Sequence, residues 1–462
     1  MRSRWAAALS AFAMLAPSFA SAGDADVERQ MQQMQQRMQQ MEDKLQATSD
    51  QLDSANARVD EQSQVIEKAG LAETRGSSNG LPGFLGQITV GGSVAASYLY
   101  NTNDPNDHDL GGLGNDNSGI NGRLYPLHPD HNSFALDAVW FEVEREVNEE
   151  NRGGFRFDTV YGKTGALLNV GGPNNRNNRD DSAFYIHQGY VQYLAPILSG
   201  VTFKFGKFGD LFGVGTESAN NAYSWNITRG NVWSLFEPID HIGILAAIPF
   251  GDSGFNLQLG GVNGFLPDDP DRNDAKSVTG RLGWDSEKLH ASVAGIWGAE
   301  NTGQDGNQTG VVNGTVRFDA TERLALYVNG DYAWMQESDQ AAWGIAAAGR
   351  FGITDRTGIA LRGEYVTDID QFLGFGGELN STGTAFSRIS GINIWSVTAT
   401  LDHLLTDNLM VRGEVRYDRM DKDNGSNDEF FQNSSNNGFE LSPDQIVLGV
   451  EAVYNFNRFG GE

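Results

Sequence analysis

Residues 278–297 read Val278-Thr279-Gly280-Arg281-Leu282-Gly283-Trp284-Asp285-Ser286-Glu287-Lys288-Leu289-His290-Ala291-Ser292-Val293-Ala294-Gly295-Ile296-Trp297. Side chains of an extended chain point alternately to its two faces. Val278, Gly280, Leu282 and Trp284 therefore share one face, and Thr279, Arg281 and Gly283 the other. After the polar turn Asp285-Ser286-Glu287-Lys288 the pattern resumes, with Leu289, Ala291, Val293, Gly295 and Trp297 opposite His290, Ser292 and Ala294. Two alternating runs joined by a short polar turn make a β-hairpin.

Worked outward, the same period of two runs from Ile88 to Phe456. It predicts strands near 87–100, 133–147, 153–161, 183–195, 200–208, 242–250, 254–263, 276–284, 288–298, 309–318, 323–335, 341–351, 356–367, 391–402, 408–419 and 443–456, about sixteen in all. Most are close to the roughly 9–11 residues that a tilted strand needs to cross a bilayer. The connections alternate in length. Those after even-numbered strands are short, while those near 101–132, 162–182, 209–241, 264–275, 299–308, 368–390 and 420–442 are long and polar, with only 336–340 short among them. Tight turns at one end and long loops at the other characterise outer-membrane barrels, and even parity puts both termini on the periplasmic side. An open sheet edge in lipid would leave backbone groups unpaired, so the sheet must close. The fold class expected is an all-β transmembrane barrel of about 16 antiparallel strands, preceded by an α-helical coiled-coil segment.

The N-terminal region has a different period. Arg2 and Arg4, the apolar stretch from Trp5 to Ala16, and Ala20-Ser21-Ala22 compose a secretory signal over 1–22. From 23 to 68 a heptad stripe follows, with Met31, Met38, Leu45, Leu52, Val59 and Ile66 at a, and Val27, Met34, Met41, Thr48, Ala55 and Gln62 at d. A single helix cannot bury that stripe, so the rod implies a homo-oligomer. Residues 69–86, with Gly76-Ser77-Ser78-Asn79-Gly80, form a linker, and 87–462 form the barrel.

Composition narrows the function. Beyond the signal no apolar run approaches the roughly 20 residues of a membrane-spanning helix. With no Cys, disulfides, thiolate metal sites and Cys nucleophiles are excluded. A net charge of -27 argues against nucleic acid as a partner. No G-x-S-x-G nucleophile motif accompanies the seven His, so no enzyme activity and no catalytic residue are expected.

Several ordered blocks carry a resemblance. They are Asp130-His131-Asn132-Ser133-Phe134-Ala135-Leu136, Gly154-Phe155-Arg156-Phe157-Asp158, and Gln188-Gly189-Tyr190-Val191-Gln192-Tyr193-Leu194-Ala195-Pro196. Phe205-Gly206-Lys207-Phe208-Gly209, Glu217-Ser218-Ala219-Asn220-Asn221, Gly243-Ile244-Leu245-Ala246-Ala247 and Gly261-Val262-Asn263-Gly264 continue the series. Together they resemble the OmpL-like β-barrel porin family, over roughly 85–300 and more weakly beyond. The resemblance implies an outer-membrane porin. A heptad rod before such a barrel is also similar to trimeric porins with a periplasmic coiled coil, which implies a trimer.

The polar strand faces should line the lumen, with Lys204, Arg281, Arg317, Arg362, Arg412, Arg416, Glu364 and Glu414 as pore-lining residues. The longest loop, 209–241, is expected to enter the lumen as a constriction, with Asp210, Glu217, Glu237 and Asp240 facing the wall arginines. Acidic outside loops with Asp104, Asp107 and Asp109, with Asp268, Asp269, Asp271 and Asp274, and with Asp421, Asp423 and Asp428 are of the kind that hold Ca²⁺. The reading preferred for them is solvated loops beside lipopolysaccharide, with no cofactor. His108, His128 and His131 are read as surface histidines of the first outside loop, and no metal site is expected. The function expected is passive diffusion of small polar solutes across the outer membrane. The alternatives are a substrate-selective uptake channel, or an anchor whose rod reaches peptidoglycan. Intact-mass analysis of protein extracted from outer membranes should give a chain starting at Gly23; a chain retaining residues 1–22 would refute the signal.

Overall fold

The computed structural model describes residues 39–40, 86–104, 127–128, 130–170, 183–213, 218–265, 271, 273–300, 306, 308–337, 340–368, 392–422, 431–435 and 438–457. The chain divides into two units, Met1–Gln87 and Ile88–Glu462. The expected signal, rod and linker fall in the first, outside the described residues except for 39–40 and 86. The second unit is built of strands.

These are β1 Thr89–Asn101, β2 Ser133–Arg145, β3 Gly153–Tyr161, β4 Phe184–Ala195, β5 Val201–Gly209 and β6 Asp240–Pro249. Then come β7 Phe255–Val262, β8 Ser277–Asp285, β9 Leu289–Ala299, β10 Gln308–Thr321, β11 Leu324–Met335 and β12 Ala341–Gly352. β13 Thr357–Asp368, β14 Ile392–Leu404, β15 Leu409–Lys422, β16 Phe431–Ser435, β17 Gly438–Ser442 and β18 Asp444–Asn455 complete the series. Sixteen of them, all but β16 and β17, form one closed antiparallel barrel in which each strand pairs with the next barrel strand along the chain, β15 with β18. The first and last strands join, from Ser93↔Asn455 to Asn101↔Val447.

Every expected strand is present within a few residues. The differences lie in the long loops, which have structure that period-two reasoning does not reach. β16 and β17 make a separate hairpin inside the last long connection. The third connection contains a short helix, α2 (Asn231–Phe236), and the second contains α1 (Lys163–Val170).

The two barrel faces differ as the alternation requires. Val397, Leu361, Val415, Val293 and Val450 are exposed on the outside, while their neighbours Thr398, Arg362, Glu414, Ala294 and Glu451 are buried on the inside. An apolar outer surface on a closed sheet satisfies a hydrocarbon surrounding. Aromatic rings collect at the strand ends. Trp343, Tyr365 and Trp395 touch in series at one end, at centroid separations of 5.3 and 4.3 Å. Phe255 with Trp284, and Tyr454 with Phe456, sit at the other. Such rings suit the two membrane–water interfaces.

Val397 lies near the middle of β14 on the outer face. Val397→Arg should cost about 2–4 kcal/mol. Arg356→Ala, which removes an exposed pair with Asp407 at a turn, should cost under about 1 kcal/mol. Equilibrium urea unfolding in lipid vesicles checks both.

Candidate functional site

The connection between β5 and β6 is long, and most of it is buried. Asn220, Asn221, Ser224, Asn226, Ile227, Thr228, Arg229 and Asn231 are all nearly inaccessible. An irregular buried segment has to find partners for its own N–H and C=O groups. Here they come from the inner face of the barrel wall. Ile227 and Thr228 donate their N–H groups to the Glu414 carboxylate on β15, at 2.6 and 3.0 Å. The Val232 N–H reaches Glu364 on β13 at 3.1 Å. Carbonyl oxygens are met by guanidinium groups: Ser224 by Arg412 (2.6 Å), Thr228 by Arg362 (3.1 Å) and Arg229 by Arg416 (2.8 Å).

Each of these wall arginines also has a carboxylate beside it on the wall. Arg362 pairs with Glu364, Arg416 with Asp418, and Arg412 with its cross-strand partner Glu451. Hydroxyls complete the shell, with Ser396 on Asp418 at 2.5 Å and Thr400 on Glu414 at 2.7 Å. Placed two apart on one strand or opposite on the next, these groups share one face, which is why they meet.

The loop's own side chains finish the attachment. Asn220 Oδ1 accepts from Ser93 at 2.8 Å and caps the short 3₁₀ turn Asn221–Tyr223, while its amide donates to Glu142 at 2.9 Å. Asn226 donates to Thr400 at 2.7 Å, and Asn231 accepts from Arg416 at 2.7 Å. Arg229 folds back on the loop, donating to the Ser218 and Ile227 carbonyls at 2.5 and 2.8 Å. Helix α2 buries Val232, Trp233 and Phe236. Val232 and Phe236 belong to the same apolar cluster as Tyr327, Ala342, Ala346 and Val366. Gly344 makes the close approach feasible, since a Cβ there would meet Phe236 and Val232 at 3.0 and 3.1 Å.

The sequence-predicted residues divide into two groups. Arg362, Arg412, Arg416, Glu364 and Glu414 come together under the loop and are at most 6% exposed. Lys204, Arg281 and Arg317 are half-exposed on β5, β8 and β10, with the Arg317 guanidinium 6.0 Å from the ring of the loop's Trp225. Lys204 lies over the Tyr190 ring at 4.7 Å, Arg281 donates to Asn256 at 3.2 Å, and Arg317 pairs with Asp319 at 3.0 Å.

The loop acids sit elsewhere than expected. Asp240 is the first residue of β6, where it accepts from Tyr185 at 2.9 Å and faces Lys207 at 3.5 Å. Glu237 accepts from Asn329 at 2.6 Å. Asp210 accepts from the Phe212 N–H at 2.6 Å, and burial holds its carboxyl well above the usual range. Glu217 lies outside the described residues. The wall arginines are therefore met by loop carbonyls rather than by the described loop acids, because carboxylates already stand beside them on the wall.

Two further expectations need correction or remain outside the described residues. His128 and His131 are buried rather than surface residues, at 4% and 1% exposure. His131 Nδ1 accepts from the Asn101 N–H at 2.9 Å, which holds His131 against β1. His108 and most of the proposed Ca²⁺-holding aspartates, among them Asp107, Asp109, Asp268, Asp269, Asp423 and Asp428, lie outside the described residues. The residues that reasoning from sequence overlooked are Asn220, Asn221, Asn226, Arg229 and Asn231. Their signal was present: a long loop rich in amides suits a segment that must bond in two directions.

Residues 87–456 match the family described as "Putative beta-barrel porin-2, OmpL-like", and the chain belongs to that family. It is one of outer-membrane porins, channels rather than enzymes. No curated protein matches the chain in sequence. Among solved structures, the outer membrane channel DcaP of Acinetobacter baumannii is similar with 11% identity and a TM-score of 0.50, over 80% of this chain and 97% of that one. An anion-selective porin from Comamonas acidovorans has 12% identity and a TM-score of 0.48, over 80% and 99%. A trimer form of OmpT of Vibrio cholerae has 11% identity and a TM-score of 0.48, also over 80% and 99%.

Arg416→Met leaves Asp418 buried without its guanidinium partner and should cost about 3–5 kcal/mol. The double change Arg416→Met with Asp418→Leu should recover a large part of that loss, and urea unfolding in vesicles measures both.

Proposed function

We propose that this member of the OmpL-like porin family is a passive diffusion channel for small hydrophilic solutes, with the loop 209–241 as its constriction. The observation that carries the reading is the attachment of Ile227, Thr228 and Val232 to the inward carboxylates Glu414 and Glu364. A sixteen-stranded barrel encloses more space than its own side chains fill. A segment bonded to the inner face of the wall narrows that space.

In this reading Arg362, Arg412, Arg416, Glu364 and Glu414 hold the constriction in place. Lys204, Arg281 and Arg317, half-exposed on β5, β8 and β10, line the water-filled passage. Their charges contribute to ion preference at close range. The heptad rod, standing in the periplasm, joins copies of the chain into an oligomer of the trimer type, and polar loops face lipopolysaccharide.

Planar-bilayer recording tests the proposal. The wild-type protein should conduct, with current reduced by small sugars or phosphate that enter the pore. Arg412→Ala releases the Ser224 carbonyl and Glu451, so the conductance should rise and the ion selectivity, read from reversal potentials in a salt gradient, should shift. No conductance at all would favour a plugged anchor. Unchanged conductance and selectivity in both Arg362→Ala and Arg412→Ala would remove the loop as constriction.

A further inference from the structure

The seam where β1 closes onto β18 and β2 holds His128 and Asp137, which take no part in holding the loop, beside Glu451, which accepts from the loop's Asn221. Ser97 on β1 stands opposite Glu451 on β18, and its hydroxyl donates to Asp137 Oδ1 on β2 at 2.9 Å. Asp137 is the extra residue of a bulge, since Ala95 pairs with Ala138 and Ala96 with Leu136. A bulge re-aims a side chain, and here the Asp137 carboxylate is turned into the barrel, 1% exposed. His128, from the first long loop, comes down onto it, with Nε2 3.8 Å from Asp137 Oδ1.

Two polar atoms of this set, His128 Nε2 and Asp137 Oδ2, have no hydrogen-bond partner among the described residues, and both residues are more than nine-tenths buried. Buried polar atoms are normally satisfied, so each of these two lacks a partner that the described residues do not supply. One donor atom each from His128, Asp137 and Glu451 lies within 4.8 Å of the other two. A tetrahedral ion with bonds of about 2.0–2.2 Å sets its ligands roughly 3.4 Å apart, so a modest contraction suffices.

We infer that His128, Asp137 and Glu451 form a site for one first-row divalent transition-metal ion of the Zn²⁺ kind. One imidazole nitrogen and two carboxylate oxygens suit such an ion, whereas Ca²⁺ takes oxygen ligands. Glu451 accepts twice from Arg412 on Oε2 and, at 2.5 Å, from the Asn221 amide on Oε1, which leaves one lone pair on Oε1 for the ion. Because Asn221 and Arg412 also hold the third long loop, the ion ties that loop, the first loop and the closing seam to one point. The site itself does not depend on the channel reading.

The test uses the full chain in detergent, stripped with EDTA and titrated with Zn²⁺ by calorimetry, with metal analysis after desalting. Expected is about one Zn²⁺ per chain, and a loss of affinity of about tenfold or more in His128→Ala and in Asp137→Asn. His290→Ala, at a half-exposed turn-end histidine beside Asp285, should leave binding unchanged. Absence of binding, or equal binding in His128→Ala and wild type, would overturn the site. If Asp137→Asn, on a strand, fails to fold by its heat-modifiable gel shift, the loop variant His128→Ala decides.

Discussion

A sheet surrounded by hydrocarbon has no water for its edge groups, so its first strand has to pair with its last. In this protein that requirement is met by β1 and β18, in a run from Ser93↔Asn455 to Asn101↔Val447. The other features depend on that closure. Alternation then places apolar residues against lipid and polar ones inside. Sixteen strands fix a circumference whose interior is wider than side chains alone can fill. The interior becomes a second solvent environment, neither lipid nor bulk water, and what enters it must be held there.

The segment between β5 and β6 is held by its backbone. It has little regular structure of its own, so its N–H and C=O groups need partners when buried. The wall supplies carboxylates for the N–H groups and guanidinium groups for the carbonyls, as Glu414 does for Ile227 and Thr228 and Arg416 does for Arg229. Buried ion pairs contribute little net stability, because desolvation offsets their attraction. Their value here is positional, since each pair presents donors and acceptors at set places. Small residues do the complementary work where α2 packs: Ala342, Gly344 and Ala346 leave room that larger side chains would occupy.

The same residue types therefore serve two purposes on one inner face. Arg362, Arg412 and Arg416 are enclosed and bonded to the loop, while Lys204, Arg281 and Arg317 keep partial contact with solvent. Burial, rather than chemical identity, separates a group that fastens a loop from one that can meet a solute.

Strand number, strand faces, the closed sheet and the alternation of short and long connections were legible from the chain alone. They depend on period two and on turn residues, which are local properties, and on the rule that no edge stays open in lipid. The inward position of Arg362, Glu364, Arg412, Glu414 and Arg416 was legible for the same reason. What these residues touch was not. Arg412 lies far in sequence from Ser224, and Asp137 from Glu451, and alternation carries no information about which loop atom arrives opposite a given wall residue. Likewise His128 and His131 read as loop histidines until the fold brought β1 and β2 beneath them. Pattern decides the face of a strand, because the face is set by neighbouring residues. Only the closed barrel decides the contacts across its lumen, because these depend on circumference, register and the path of a buried loop.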